Sequence, residues 1–149
     1  MTKTARPGFT LLELIVVIFM LGVAGSLVLP RMSNMILQSR VQRAAQMLQT
    51  DVQQAFAIAG RNRQPMRLTW NSSNMQLQVT DRAATKVFRT TGLGDNSGFG
   101  FTSADVTISK SSLQIFPNGL AEDTLYIELA KGGYTRVIRV SRAGLVRLQ

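Results

Sequence analysis

The sequence contains no cysteine and no histidine among its 149 residues. These absences exclude a disulfide framework, a thiolate metal site and an imidazole that binds a metal or transfers protons near neutral pH. The redox compartment stays undetermined, because a chain without cysteine fits either one. We predict that the protein holds neither a metal nor a cofactor.

Acidic residues are few, with 8 Asp and Glu against 17 Lys and Arg, so the formal net charge is +9. Such a surface permits binding to DNA, lipid headgroups or acidic protein faces, although most basic surfaces are simply solvated. The candidate anion contacts lie near the C-terminus: Arg136, Arg139, Arg142 and Arg147. On a regular strand, Arg136 and Arg139 point to opposite faces.

The motifs that could carry catalysis are weak. Residues 92–100 are rich in glycine, but they lack the Lys-Ser/Thr ending of a phosphate loop, and we interpret them as a flexible loop. We interpret Asp95, Asp105, Glu122 and Asp123 as solvated turn residues, because scattered carboxylates alone are a poor indication of a metal or hydrolase site. The sequence therefore predicts that the protein is not an enzyme.

One apolar run, Phe9 to Leu29, reaches the roughly 20 residues that span a bilayer. It carries a single acid, Glu13, where an unpaired charge costs about 2.5–3.5 kcal/mol. Lys3 and Arg6 precede the run and no acid does, which favours a cytoplasmic N-terminus. An ordinary secretory signal cut at the small-residue stretch 23–26 is the alternative, but an acid in the apolar core argues against it.

The stretch Gly8-Phe9-Thr10-Leu11-Leu12-Glu13 resembles the processing motif of type IV prepilins and type II secretion pseudopilins. The resemblance implies that residues 1–8 are a leader peptide. It also implies that a prepilin peptidase cleaves between Gly8 and Phe9 and methylates the new amine of Phe9. Residues 9–30 would then form a transmembrane and assembly helix, in which Glu13 acts in assembly and Pro30 takes the place of a helix-kinking proline common in the family.

Residues 31–60 have the pattern of an amphipathic helix. Gly60 and Pro65 predict where this helix stops, with Gly60 as its cap. The apolar stripe has three- and four-residue spacing and consists of Val41, Ala44, Ala45, Leu48, Val52, Ala55, Phe56 and Ala59.

Residues 61–149 have the alternation of short antiparallel strands separated by glycine, asparagine and proline turns. The predicted strands are 66–70, 75–79, 86–89, 106–108, 113–116, 125–129, 134–140 and 145–148. We therefore predict an α+β fold, in which one long N-terminal helix packs on an antiparallel β-sheet domain.

The segments 115–119, 124–130, 134–141 and 144–148 resemble the globular domain of the H-type minor pseudopilins, the GspH/FimT-like prepilin family, and the related FimT- and FimU-like minor type IV pilins. The resemblance implies a type IV pilin-like fold and a non-enzymatic subunit of the periplasmic pseudopilus of a type II protein secretion system. The implied partners are the prepilin peptidase, the major and minor pseudopilins, the inner-membrane assembly platform and inner-membrane lipid.

The implied location is the bacterial inner membrane, crossed once, with the N-terminus cytoplasmic and the C-terminal domain periplasmic, and the pseudopilus after assembly. The alternative is a minor type IV pilin that acts in pilus assembly or DNA uptake. Only under that alternative is nucleic acid a partner.

Overall fold

The computed structural model describes residues 9–149, and within residues 27–32 it describes the backbone alone. The helix α1 spans Leu11–Asn62 and a 3₁₀ turn spans Asp95–Ser97. The eight strands are β1 Met66–Asn71, β2 Gln76–Asp81, β3 Val87–Gly92, β4 Val106–Ile108, β5 Ser112–Ile115, β6 Leu125–Lys131, β7 Tyr134–Val140 and β8 Val146–Leu148. The predicted α+β fold is confirmed.

By its internal contacts the chain divides into two compact units, Met1–Ile36 and Leu37–Gln149. The predicted boundaries after residues 8, 30 and 60 stay predictions. Gly8 lies outside the described residues. Pro30 has a helical backbone within α1, but its side chain lies outside the described part, so a kink there also stays a prediction.

The helix α1 ends later than the sequence predicts. Gly60 continues the helix, and the residue that takes the left-handed conformation is Arg63, with φ of 50° and its N–H donating to the Gly60 carbonyl at 3.3 Å. Glycine permits a helix end but does not require one. Pro65 follows three residues after the last helical residue, Asn62, and prevents the helix from continuing, because a proline disfavours the helical conformation at the residue before it.

The second unit holds a single hydrophobic core, into which the C-terminal half of α1 inserts its apolar stripe. Of the predicted stripe, Phe56 alone is only partly buried. Four of the buried positions are alanine, which lets the helix backbone approach the strands closely. Facing them are the inward side chains of the strands, including Leu68, Leu113, Ile127 and Ile138.

The strands form two four-stranded antiparallel sheets, ordered β3-β2-β1-β5 and β4-β6-β7-β8, where the sequence predicted one sheet domain without dividing it. The chain passes from the second sheet to the first between β4 and β5. There the Ser109 N–H donates to the Tyr126 carbonyl at 3.0 Å, and the Trp70 N–H donates to the Ser111 carbonyl at 2.8 Å. Each sheet thus binds one end of this short connection.

The two sheets are also connected at a second place, where two turns contact each other. The Ala121 N–H donates to the Arg142 carbonyl at 2.8 Å, and Ala121 also bridges to Ile115 of β5. Gly144 has φ of 74°, and a Cβ added there would clash with the Gly119 carbonyl oxygen. The two turns touch backbone to backbone, because Gly144 has no side chain.

One charged group is buried on the inner face of α1. Asp51 is 1% exposed, accepts a hydrogen bond from the Thr91 hydroxyl at 2.5 Å, and forms an ion pair with Arg89 of β3. The Arg89 side chain is 39% exposed. The Asp51 carboxylate therefore binds α1 to β3, the edge strand of the first sheet. Its counter-ion, Arg89, is partly exposed to solvent.

We expect removal of Arg89 to destabilise the domain more than removal of the whole pair. The change Arg89→Met leaves the Asp51 carboxylate buried without its cation. That costs about 3–5 kcal/mol in a fully buried pair, and about 2–3 kcal/mol is expected here because solvent screens Arg89. Urea unfolding of the full chain in detergent micelles measures the cost.

The double variant Asp51→Leu, Arg89→Met supplies the control for this experiment. Replacing both charges by apolar groups should recover at least half of the loss, because the unpaired carboxylate is gone. A double variant less stable than Arg89→Met would show that the ion pair itself, and not the unpaired Asp51 carboxylate, governs stability at this position.

Candidate functional site

The segment with the predicted processing motif lies at the N-terminus of α1. Thr10 precedes the helix, and its hydroxyl oxygen accepts a hydrogen bond from the Glu13 N–H at 3.2 Å. A threonine followed three residues later by glutamate is the spacing of a capping box. Glu13 thus stands in the first helical turn, where the helix dipole favours a negative charge.

The helix that follows Glu13 presents apolar side chains without burying them. Every described residue from 9 to 26 is exposed, and Phe9 is 79% exposed. Exposed apolar surface on this scale marks a contact with lipid or with another protein. No helical stretch of the described residues combines the length and the hydropathy that a membrane crossing requires.

Of the four candidate arginines, Arg136 is engaged elsewhere, and Arg142 lies outside the strands. Arg136 donates from Nε to the Gln42 side-chain oxygen at 2.6 Å and from Nη1 to the Thr135 carbonyl at 3.0 Å. Arg142 lies in the turn between β7 and β8. The hydrogen bond from Lys110, with smaller contributions that include the Arg142 charge, lowers the pKa of Asp123.

The other two arginines meet on the outer face of the second sheet. Arg139 of β7 lies directly opposite Arg147 of β8, and on its other side it lies opposite Tyr126 of β6. The Arg139 guanidinium sits 5.6 Å from the centre of the Tyr126 ring, within cation–π range. We call this row Tyr126–Arg139–Arg147 the arginine row.

A groove of about 250 Å³ adjoins the arginine row. Its lining residues are Arg139, Ser141, Leu145, Arg147 and Gln149.

Both the N-terminal motif and the fold of this chain are similar to those of known proteins. Residues 3–29 match the model of the prokaryotic N-terminal methylation motif. A search of functionally characterised proteins gave no match. Two crystal forms of the type IV minor pilin FimU from Pseudomonas aeruginosa align with TM-scores of 0.60 and 0.57 at 20% identity. The first alignment covers 75% of this chain and 90% of FimU, and the second 72% and 91%.

The minor pseudopilin EpsH of the type 2 secretion system of Vibrio cholerae aligns with a TM-score of 0.53 at 12% identity, over 74% of this chain and 96% of EpsH. At these identities the structural similarity establishes the fold. The chain carries the prokaryotic N-terminal methylation motif and has a type IV pilin-like fold. The pilin-like fold that the sequence predicts is thereby confirmed.

The glycine-rich loop of this pilin-like chain is held at both ends, where the sequence predicted flexibility. Leu93 and Phe101 are buried in the core. Lys131 donates a hydrogen bond to the Gly100 carbonyl, lies 5.3 Å from the Phe101 ring and pairs with Asp105 at 3.3 Å. The lysine thus fastens the end of the loop to the second sheet.

Asp105 is a structural carboxylate in this arrangement. Partial burial raises its pKa. Hydrogen bonds from the N–H and hydroxyl of Thr102, together with the charge of Lys131, lower the pKa by more than burial raises it, so the net pKa lies below the usual value. Within residues 9–149, no group of three or more acidic side chains is placed to hold a metal ion.

Between the glycine-rich loop and the β1–β2 turn lies a groove of about 690 Å³. Its lining carries neither lysine nor arginine, in contrast to the arginine row.

Sequence reasoning missed two residues that position this pilin-like domain. Asp51 lies three residues after Leu48 and four before Ala55, which places it on the apolar stripe. That spacing was the available indication that it is buried. Tyr126 stands between Leu125 and Ile127, so alternation alone places it on the outer face, but only the strand register shows that it meets Arg139.

Proposed function

We propose that the chain is a minor pseudopilin, a non-enzymatic subunit of the periplasmic pseudopilus of a type II secretion system. The observation that carries this proposal is the exposed apolar segment from Phe9 to Ser26, helical from Leu11, whose single acid, Glu13, stands in the first helical turn. Such a surface needs lipid before assembly and other subunits after it. The methylation motif over residues 3–29 supports the same function.

The proposed processing creates a positive charge, the Phe9 amine, that pairs with Glu13. A prepilin peptidase cuts between Gly8 and Phe9 and methylates the Phe9 amine, which keeps its positive charge near neutral pH. Glu13 of an incoming subunit then pairs with the amine of a neighbour already in the fibre. The pair fixes registry, because a misaligned subunit leaves both charges unpaired in an apolar layer.

The proposed location follows from the charges around the apolar run. Lys3 and Arg6 hold the leader in the cytoplasm, the helix from residue 9 to 30 crosses the inner membrane, and the domain folds in the periplasm. The inner-membrane assembly platform then moves the subunit from lipid into the fibre, beside the major and the other minor pseudopilins.

The second candidate is a minor type IV pilin, acting in pilus assembly or in DNA uptake. The similarity to FimU supports a pilus, and the exposed arginine row supports contact with an anion. Deleting the gene separates the two candidates. A pseudopilin mutant should retain folded exoproteins in the periplasm with normal surface pili, whereas a pilin mutant should secrete normally and lose pili or DNA uptake.

We expect the mature protein to begin at Phe9. Cleavage after Gly8 removes Lys3 and Arg6, so the formal charge should fall from +9 to +7. Intact-mass spectrometry of protein from cells with and without the prepilin peptidase measures both the cut and the added methyl group. An N-terminus near Gly25 or Ser26 would instead indicate an ordinary secretory signal.

A further inference from the structure

We propose that the arginine row and its groove bind a carboxylate on a partner protein, presented beside an apolar side chain. The site lies on the outer face of the second sheet, formed by Tyr126, Arg139, Arg147 and Leu145. The proposal goes beyond the proposed function, because it concerns the domain surface rather than the assembly helix and holds for either kind of fibre.

The first observation is an uncompensated like-charge pair. Arg139 and Arg147 stand directly opposite each other, where Cβ atoms of paired residues are about 4.5–5.5 Å apart. Like charges in this position destabilise a sheet. Across the part of the chain that the structure describes, neither guanidinium forms an ion pair or a hydrogen bond. A bound anion would relieve this repulsion.

The second observation decides between carboxylate and nucleic acid. Arg136 is hydrogen-bonded to Gln42, and Arg142 lies in the turn after β7, so the row brings together two guanidiniums, those of Arg139 and Arg147. Proteins that bind duplex DNA strongly make about 6–10 phosphate contacts. Two arginines are too few for a phosphate track, but their planar donors match a single carboxylate bidentately.

The third observation is the chemistry of the rim. Leu145 is 51% exposed at the groove, and Tyr126 is 42% exposed beneath Arg139. A groove of about 250 Å³ is below the range of about 300–1,000 Å³ typical of small-molecule sites. It accommodates one or two side chains, so we infer an acidic residue with an apolar neighbour.

The test measures fluorescence anisotropy of a labelled peptide, Gly-Leu-Glu-Leu-Glu-Gly, with the full-length chain in detergent micelles. A matched peptide carries glutamine in place of both glutamates. The wild-type chain should bind only the acidic peptide. Arg139→Gln and Arg147→Gln should each weaken binding about fivefold, the loss of about 1 kcal/mol expected of an exposed charge pair.

Arg82→Gln is the matched control, because it removes an equal charge from an exposed turn of the first sheet. It should change the affinity less than twofold. An equal loss in Arg82→Gln, or equal binding of the two peptides, would overturn the proposal.

A single-stranded oligonucleotide forms the last arm of the test. The proposal predicts weak binding that Arg82→Gln and Arg139→Gln reduce alike. Oligonucleotide binding tighter than that of the acidic peptide, and lost when Arg139 and Arg147 are both replaced by glutamine, would make the row a nucleic-acid site and overturn the carboxylate assignment.

Discussion

Replacing Glu13 by leucine should give a chain that is cleaved and held in the membrane but enters the fibre poorly. The leucine leaves the Phe9 amine of the neighbouring subunit without its carboxylate. An unpaired charge in an apolar layer costs about 2.5–3.5 kcal/mol, so incorporation should fall on the order of a hundredfold. Immunoblots of sheared fibres and of the membrane fraction measure the ratio.

Glu13→Gln and Thr10→Ala are the matched controls. The glutamine keeps the size and the helical first turn and removes only the charge, so it should fail as Glu13→Leu does. The cap uses the backbone N–H of Glu13 and the Thr10 hydroxyl, so Thr10→Ala tests the helix start without touching the carboxylate. If Glu13→Leu assembled like wild type, the charge-pairing account would be wrong; loss of cleavage instead would assign the acid to peptidase recognition.

Gly144→Ala should be among the most destabilising single changes in the domain. Its φ of 74° already disfavours any residue with a side chain, and the added Cβ would meet the Gly119 carbonyl and approach Phe56 Cε1 to 3.3 Å. A backbone atom cannot rotate away, so the two turns must separate and strain the Ala121–Arg142 hydrogen bond. We expect a loss of about 3–5 kcal/mol.

The control Gly133→Ala measures the cost of a left-handed backbone conformation without a steric clash. Gly133 has φ of 83°, but an added Cβ would meet no atom within 4 Å. It should cost only about 1–2 kcal/mol, the penalty of a left-handed residue. Thermal unfolding of both variants by circular dichroism in micelles compares them, and equal shifts in Tm would mean that the turns absorb the clash.

Local patterns predicted the faces of the strands but not their partners. The strands Val106–Ile108 and Tyr134–Val140 have the predicted bounds, because alternation and glycine turns are local signals. The division into two sheets was missed. It depends on β5 returning to β1 and on a three-residue crossing after β4, and side-chain alternation carries no information about which strand lies beside which.

For the candidate sites too, the local motif was predicted and the contacts between distant residues were not. The motif at Phe9 and Glu13 is a local signal, and the structure adds the Thr10 cap to it. The arginines were predicted as a group of four, but Gln42, distant in sequence, binds Arg136, and Arg142 lies in the turn after β7 rather than on a strand. Only the cross-strand register selects Arg139 and Arg147 from the four.

The order of the strands also sets the order in which the domain can fold. The pairs β1–β2, β2–β3, β6–β7 and β7–β8 join neighbours along the chain, so their loops close at small entropic cost. β1 pairs on its other side with β5, which follows only after β2, β3 and β4. As the chain emerges N-terminus first, that side of β1 waits longest for its partner strand, and until β5 arrives it is an edge on which a misfolded partner strand or a chaperone would act.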